Sequence, residues 1–355
     1  MSGPTLSVVV PTRNRSAQLA ETVRSIVPQV LADGAAEVLV VDDASSDDTA
    51  AVAAALAREH RAVRALRCED PGLLAGRHLG AAESRGGVLV YVDDDILAGA
   101  GWLAAYRDAF RDPGVGIACG PCLPLWEGEE PWWLELFRQE VPGGWAIPTL
   151  SLIDRGAVGR DVDPGTVYGC NFAIRAELVR ACGGFHPDAV PRESLAFRGD
   201  GESALAAAVA ASGRRLRHAP GARVRHRVPR ERLTVDYFLW RSFAQGVSNS
   251  YAALRGGSGA PAQGNGPASG VPPFSGRALR ALRSVARLGP VRWLEGRRLL
   301  RAFAAARAAG ERWHREAVAR DPVIREWVLR HDYLADARLP SPSRSVLEFP
   351  QGVPS

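Results

Sequence analysis

The chain of 355 residues contains no lysine, so all 44 of its basic side chains are arginine. That absence removes the P-loop nucleotidases, whose motif places a Lys on the phosphates, and every mechanism built on a catalytic Lys. Arg and Ala richness of this kind reads as genomic base bias more than chemistry. No apolar run approaches the ~20 residues of a membrane span, and the N-terminus lacks a basic-then-apolar leader. The expected location is therefore the cytoplasm, with association at a membrane surface left open. Five cysteines (Cys68, Cys119, Cys122, Cys170 and Cys182) form an odd, scattered set, which argues against a disulfide framework. Cys119-Gly-Pro-Cys122 has redox or half-zinc spacing, but no second pair accompanies it, and packing is the expected role. The first strand lacks a following G-x-G-x-x-G, which counts against a dinucleotide-dependent oxidoreductase. The net charge of +5 is modest and lies mainly after Arg277, in a region without the interleaved aromatics of a nucleic-acid binder.

What is present is an ordinary globular composition, 46% apolar and 23% charged, in a chain long enough for two domains or one with an appendage. The organising stretch is Val88–Asp95, Val-Leu-Val-Tyr-Val-Asp-Asp-Asp. Five apolar residues in a row predict a strand buried on both faces, as in a parallel sheet. Three adjacent carboxylates repel one another, and no basic residue follows before Arg107. A divalent cation such as Mn2+ or Mg2+, carried with substrate phosphates, is the economical compensation; an acidic turn capping the next helix is the plainer alternative.

Strands are expected at Leu6–Val10 (closed by Pro11), Glu37–Val41, Val63–Leu66 and from Val88, with helices Ala17–Leu31, one capped by Ser45–Thr49 and running to His60, and Leu74–Arg85 between them. Alternation of this kind predicts βαβ units and a mostly parallel, doubly wound α/β sheet with helices on both faces. Ligands of such sheets sit beyond the carboxyl ends of the strands, which places Thr12–Asn14, Asp42-Asp43 and Asp93–Asp95 on one rim. Further on, Trp126, Trp132, Trp133, Phe137 and Trp145 form an aromatic segment, and Trp132 and Trp133 are candidates for a sugar- or acceptor-binding wall. Thr166–Ile174 reads as a strand, Ala176–Ala181 as a helix, Arg198–Glu202 as the opening of an Ala-rich helix running to Ala211, Arg223–His226 as a strand and Leu233–Leu254 as a helix. Residues 256–276 read as a flexible linker, followed by Arg-rich amphipathic helices and a Pro/Ser tail. Those helices are expected to dock on the first domain, on a second copy of the chain, or on a membrane surface. The resulting division is 1–120, 121–255, 256–276 and 277–355.

Val8-Val9-Val10-Pro11-Thr12-Arg13-Asn14-Arg15, Val40-Val41-Asp42-Asp43-Ala44-Ser45-Ser46-Asp47-Asp48-Thr49, Ala75-Gly76-Arg77-His78-Leu79-Gly80 and Tyr91-Val92-Asp93-Asp94-Asp95 stand in an order and spacing that resembles the family 2 glycosyltransferases. The resemblance runs over roughly residues 5–230 and is most specific in the first hundred. It implies a GT-A fold, a nucleotide-sugar donor (UDP-sugar being usual) and an inverting reaction. Carried over by position, it implies that Thr12 and Arg13 lie against the nucleobase, with Pro11 shaping the turn. Asp43 would accept from the base or ribose, with Asp42 beside it, and Arg77 would contact the nucleotide. His78 stands where the family has Asn. Asp93 and Asp95 would be the DxD pair, Asp95 ligating the metal and Asp94 facing ribose or phosphate, and His226 would be a third ligand. The family's base is the Asp of a Glu-Asp pair, but this chain reads Gly199-Asp200-Gly201-Glu202. Counting back from Gly213 favours Glu202 as base; reading forward from Gly199 favours Asp200. The acceptor, whether a glycan, a lipid-linked glycan or a small natural product, would be met by residues 122–165 and the C-terminal helices. The altered segment also leaves open a module that binds nucleotide-sugar without transferring it.

Overall fold

The computed structural model describes residues 5–69, 72–256, 289–340 and 349. Of the linker expected at 256–276 all but Gly256, together with the start of the Arg-rich region and residues 341–348 and 350–355 of the tail, lies outside the described residues. The N-terminal half begins with β1 (Leu6–Thr12), α1 (Ser16–Asp33), β2 (Ala36–Asp43), α2 (Thr49–Glu59), β3 (Val63–Cys68), α3 (Leu73–Glu83) and β4 (Val88–Val92). The short β5 (Ile96–Ala98), α4 (Trp102–Ala109), β6 (Val115–Cys119) and β7 (Cys122–Trp126) come next. A 3-10 turn at Trp132–Phe137 leads into β8 (Gln139–Val141), β9 (Gly144–Ile147), β10 (Leu152–Asp154) and β11 (Asn171–Arg175). The chain continues with α5 (Ala176–Ala181), α6 (Glu202–Ala211), β12 (Arg215–His218), β13 (Val224–Val228) and α7 (Val235–Leu254). It ends in α8 (Pro290–Arg320) and α9 (Pro322–Leu329).

Among the described residues the strands form two sheets. The larger has the order β12-β6-β11-β4-β1-β2-β3, parallel except at β11, which pairs antiparallel with β4 and with β6. Alternate residues of its strands feed opposite cores. Val8, Val10, Val38, Val40 and Val90 pack under α1, α2 and α4, while Val9, Leu39, Val41, Leu89 and Tyr91 pack under α3, α5 and α6. This two-sided burial is why the strands read as continuous apolar runs. Helix α3 lies close on β1 because Gly80 faces Val9: a Cβ there would come within 2.3 Å of Val9 Cγ1.

The structure corrects several boundaries. Pro11 does not close β1; the strand continues to Thr12, still in register with β2. On the β4 side the register ends at Val9–Tyr91, so no ladder there needs the missing proline N–H. β4 stops at Val92, and Asp93–Asp95 form the turn after it. The strand expected over Thr166–Ile174 begins only at Asn171, after a 3-10 turn at Pro164–Thr166. The aromatic segment belongs to a second sheet, β5-β13-β7-β10-β9-β8, antiparallel except for β13 with β7. Trp133 is not an exposed wall: it and Phe137 are buried against Phe238 of α7 and Phe303 of α8.

The C-terminal helices dock on the first domain. Their contacts advance together, Phe238 with Phe303, Asn249 with Glu311 and Ser250 with His314, so α7 and α8 run in the same direction. Gly246 and Gly310 permit the close approach, since a Cβ on either would meet a carbonyl oxygen of the partner helix at 2.0 Å. α9 adds Ile324, Trp327 and Val328 to the core beneath β4, with Trp327 Nε1 donating to the Phe197 carbonyl at 3.0 Å. No helix among the described residues is long and apolar enough to cross a membrane.

Candidate functional site

Asp93, Asp95 and His226 come together although more than a hundred residues separate them in sequence. β13 runs antiparallel to β5, placing His226 opposite Ile96 and therefore beside Asp95. The Arg227 N–H donates to the Asp95 carbonyl at 3.0 Å and closes the register. One ligand atom from each of Asp93, Asp95 and His226 lies within 4.8 Å of the other two. Thr22 of α1 holds the acidic turn from below, its hydroxyl lying 2.7 and 2.8 Å from the carbonyls of Asp94 and Ile96.

The cations that compensate this turn are not those nearest in sequence. Arg107 pairs with Asp33 instead. Arg15, at the start of α1, places Nη1 3.1 Å from Asp94 and 2.7 Å from Asp95, and Arg232 lies 3.4 Å from Asp95. Burial alone would raise the pKa of Asp95, but His226, Arg232 and Arg15 outweigh it and hold the carboxyl well below the usual range. Asp93 moves the other way, raised by burial and by the charge of Asp95. Burial likewise pushes Asp94 up to about 6, against the pull of Arg15. Asp95 is thus well supplied with positive charge, whereas the half-buried Asp93 beside it is not. Asp95 Oδ1 sits 3.2 Å from His226 Nε2, and among the described residues neither it nor His226 Nδ1 has a hydrogen-bond partner, so both residues retain capacity for a further one. A divalent cation on Asp93, Asp95 and His226 fits these oxygen and imidazole donors.

Around this cluster the structure sets the remaining predicted residues. Pro11 and Thr12 end β1, and the Thr12 hydroxyl donates to Asp94 Oδ2 at 2.7 Å, so Asp94 is turned inward on Thr12 and Arg15. Arg13 is exposed, 3.9 Å from Asp43. Asp43 accepts from the Gly72 N–H at 2.7 Å, and burial raises its pKa. Asp42 is held by Arg67 at 2.6 Å. The loops after β1 and β2 are laced together: the Asn14 N–H donates to Ser45 Oγ at 3.0 Å and Asn14 Oδ1 accepts from the Ser46 N–H at 2.8 Å. Asn14 and Ala44, with φ of 53° and 48°, adopt left-handed backbone in these same loops, a form of strain that gathers at functional sites.

Arg77 and Glu202 are brought together; Asp200 is not. Arg77 is buried on Phe185 and lies 3.5 Å from Glu202 Oε2, while Glu202 Oε1 accepts from the Gly169 N–H at 2.8 Å. Burial, with help from Asp188, raises the pKa of Glu202 against Arg77 and the Gly169 N–H. Asp200 turns to His186, 2.6 Å from Nδ1, and that imidazole packs on Tyr251 and Tyr333. His78, in the family's Asn position, is buried and accepts from the Phe185 N–H at 2.9 Å.

Sequence reasoning missed the roles of Arg15, Arg232 and Asn171. Arg15 stood inside the first motif, adjacent to residues already singled out. Arg232 follows β13 in a 3-10 turn, with no local signal for its reach. Asn171 is a fully used hub: its Oδ1 accepts from Trp102 and Tyr106, and its Nδ2 donates to the carbonyls of Pro121 and Ala222. The preceding Cys170 carbonyl accepts from the Asp93 N–H at 3.4 Å, which ties the hub to the acidic turn.

A mostly parallel, doubly wound sheet carrying an Asp-Asp-His cluster at its carboxyl rim defines a protein of the GT-A class. The mannosyltransferase PcManGT from Pyrobaculum calidifontis, solved in complex with GDP-Man and Mn2+, shares the fold with a TM-score of 0.57 over 88% of each chain, at 21% identity. The sequence profile of Glycosyl transferase family 2 matches residues 7–182, and the chain belongs to that family. An uncharacterized protein of Mycobacterium tuberculosis is 40% identical over 121 residues, 33% of this chain and 36% of that protein. The match therefore spans about a third of that relative's length. A glucosyl-dolichyl phosphate glucuronosyltransferase of Haloferax volcanii is 24% identical over 246 residues, 68% of this chain and 75% of that protein.

Proposed function

We propose that the protein is an inverting glycosyltransferase that moves a sugar from a nucleotide-sugar, with UDP-sugars the first donors to test, to an acceptor hydroxyl or amine. The convergence of Asp93, Asp95 and His226 beside the loops after β1 and β2 carries this reading. The family membership and the GDP-Man and Mn2+ held by the solved neighbour support it. Thr12, Arg13 and Asp43 line the nucleobase and ribose side, with Pro11 and Asp42 fixing their loops, and Arg77 faces the nucleotide. Asp93, Asp95 and His226 hold Mn2+ or Mg2+, and Asp94 orients the turn through Thr12 and Arg15. When bound, the cation stabilises charge growing on the departing diphosphate. Glu202 is the base: it takes the acceptor proton as the acceptor oxygen or nitrogen bonds to the anomeric carbon. The carbon–phosphate-oxygen bond breaks on the opposite face, and its electron pair leaves with the nucleotide. Burial and a raised pKa suit Glu202 to that task, whereas Asp200 is engaged with His186. Residues 1–120 form the donor half and 121–255 the acceptor half. A glycan carried on a lipid phosphate is the favoured acceptor class, because the Haloferax relative is named for a dolichyl-phosphate sugar.

The test is a panel of nucleotide-sugars with Mn2+, read first by thermal stabilisation and then by nucleotide release with a lipid-linked glycan. Asp95→Ala should abolish Mn2+-dependent UDP binding, and unchanged affinity would remove the assigned ligand. Binding without any release of sugar would favour a non-catalytic module.

A further inference from the structure

We propose that the first half of α8 is a docking surface for an anionic lipid bilayer. The inner side of this helix is fully occupied. Gly296 faces Leu136 and Trp132, and Phe303 is buried with Trp133, Phe137 and Phe238. Among the described residues the outer side has no protein partner. Val291 is 67% exposed and Leu294 53%, one turn apart, with Trp293 half-buried between them. Residues three and four apart share a helix face, so the same stripe continues through Glu295, Arg298 and Arg301, all exposed. Among the described residues no carboxylate pairs with Arg297, Arg298, Arg301 or Arg312.

Exposed apolar side chains followed by unpaired arginines along one stripe suit a helix lying in a bilayer interface. The apolar groups enter the acyl boundary, and the arginine stems lie over it with guanidiniums on lipid phosphates. A second copy of the chain suits the stripe less well. A twofold contact sets the same patch against itself and would bring arginine against arginine, with only two large, well-exposed aliphatic side chains in this half of the helix. Charge complementarity thus selects an anionic membrane. The placement is consistent with the chain's own layout. The 3-10 turn at Trp132–Phe137 under α8 links β7 to β8 of the second sheet, and Phe238, packed on that turn, lies six residues beyond Arg232 at the acidic site. The surface does not depend on the transfer reaction proposed above.

Full-length protein should sediment with vesicles of phosphatidylcholine and phosphatidylglycerol, and not with phosphatidylcholine alone. Arg298→Gln with Arg301→Gln should weaken that binding by roughly thirtyfold, following the usual gain per arginine at an anionic surface. Val291→Ser with Leu294→Ser should remove the part of the binding that survives high salt. Both double variants should keep the parent's melting temperature and Mn2+ binding, which separates loss of docking from loss of fold or site. Absence of vesicle binding overturns the proposal, as does binding unchanged in both variants. A monomer–dimer equilibrium abolished by Val291→Ser with Leu294→Ser, without vesicle binding, also overturns it and makes a second copy the partner.

Discussion

Arg15 should act as an internal competitor for the cation that Asp93, Asp95 and His226 hold. Its guanidinium sits 3.1 Å from Asp94 and 2.7 Å from Asp95, where it supplies part of the charge a metal would bring. Two unit charges ~4 Å apart interact by about 4 kcal/mol at an effective dielectric constant of ~20. The Arg15 side chain is 37% exposed, so solvent screening reduces each contact to about 1 kcal/mol. Arg15→Met keeps the apolar stem and removes both contacts. The metal-free variant should therefore lose about 2 kcal/mol, a fall of a few degrees in melting temperature. In the same variant the carboxylates no longer share their charge with a guanidinium, and Mn2+ should bind about tenfold more tightly, a gain of about 1.4 kcal/mol. The two effects have opposite signs, and general damage to the fold would weaken both. Melting in chelator and calorimetric titration with Mn2+ read them separately. Weaker or unchanged Mn2+ affinity in Arg15→Met would refute the competition.

Glu202→Gln should preserve the Gly169 bond and donor binding while depressing transfer at least about a hundredfold, the scale of a lost general base. If Asp200→Asn does this instead, in the same single-turnover assay, Asp200 is the base. Gly246→Ala or Gly310→Ala should cost about 1–3 kcal/mol by urea denaturation, because the added carbon meets a carbonyl of the facing helix at 2.0 Å. Burial holds His314 down to about 4 in the fold against ~6.5 unfolded, so the unfolded chain binds the extra proton and this stability, complete above pH ~6.5, is lost as pH falls toward 4. By pH 5 the loss should be about 2 kcal/mol, and His314→Gln should flatten that slope in denaturation curves at pH 7 and 5.

How much was legible in the sequence follows from the range of each interaction. The rim at Thr12, Asp43 and Asp93 was readable because strand identity and the βαβ rule are local, and strand ends then converge by topology alone. The acidic turn's need for positive charge was equally plain, but its source was not. Arg15 reaches Asp94 and Asp95 across 79 and 80 residues, and Arg232 reaches Asp95 across 137, so neither pairing leaves a trace in neighbouring sequence. Trp133 shows the converse failure. An aromatic pair beside acidic residues reads alike whether it faces a sugar or a core. Only the later Phe238 and Phe303, packed on it at 4.9 and 6.5 Å between ring centres, decide for the core. The ambiguity between Asp200 and Glu202 had the same origin: Glu202 opens α6 and Asp200 stands two residues before it, and spacing alone ranks them weakly. The partners separate them, because Arg77 and Gly169 turn Glu202 into the buried centre while His186 draws Asp200 toward Tyr251 and Tyr333. A carboxylate's role in this fold is thus set less by its place in a motif than by the group from another element that it meets.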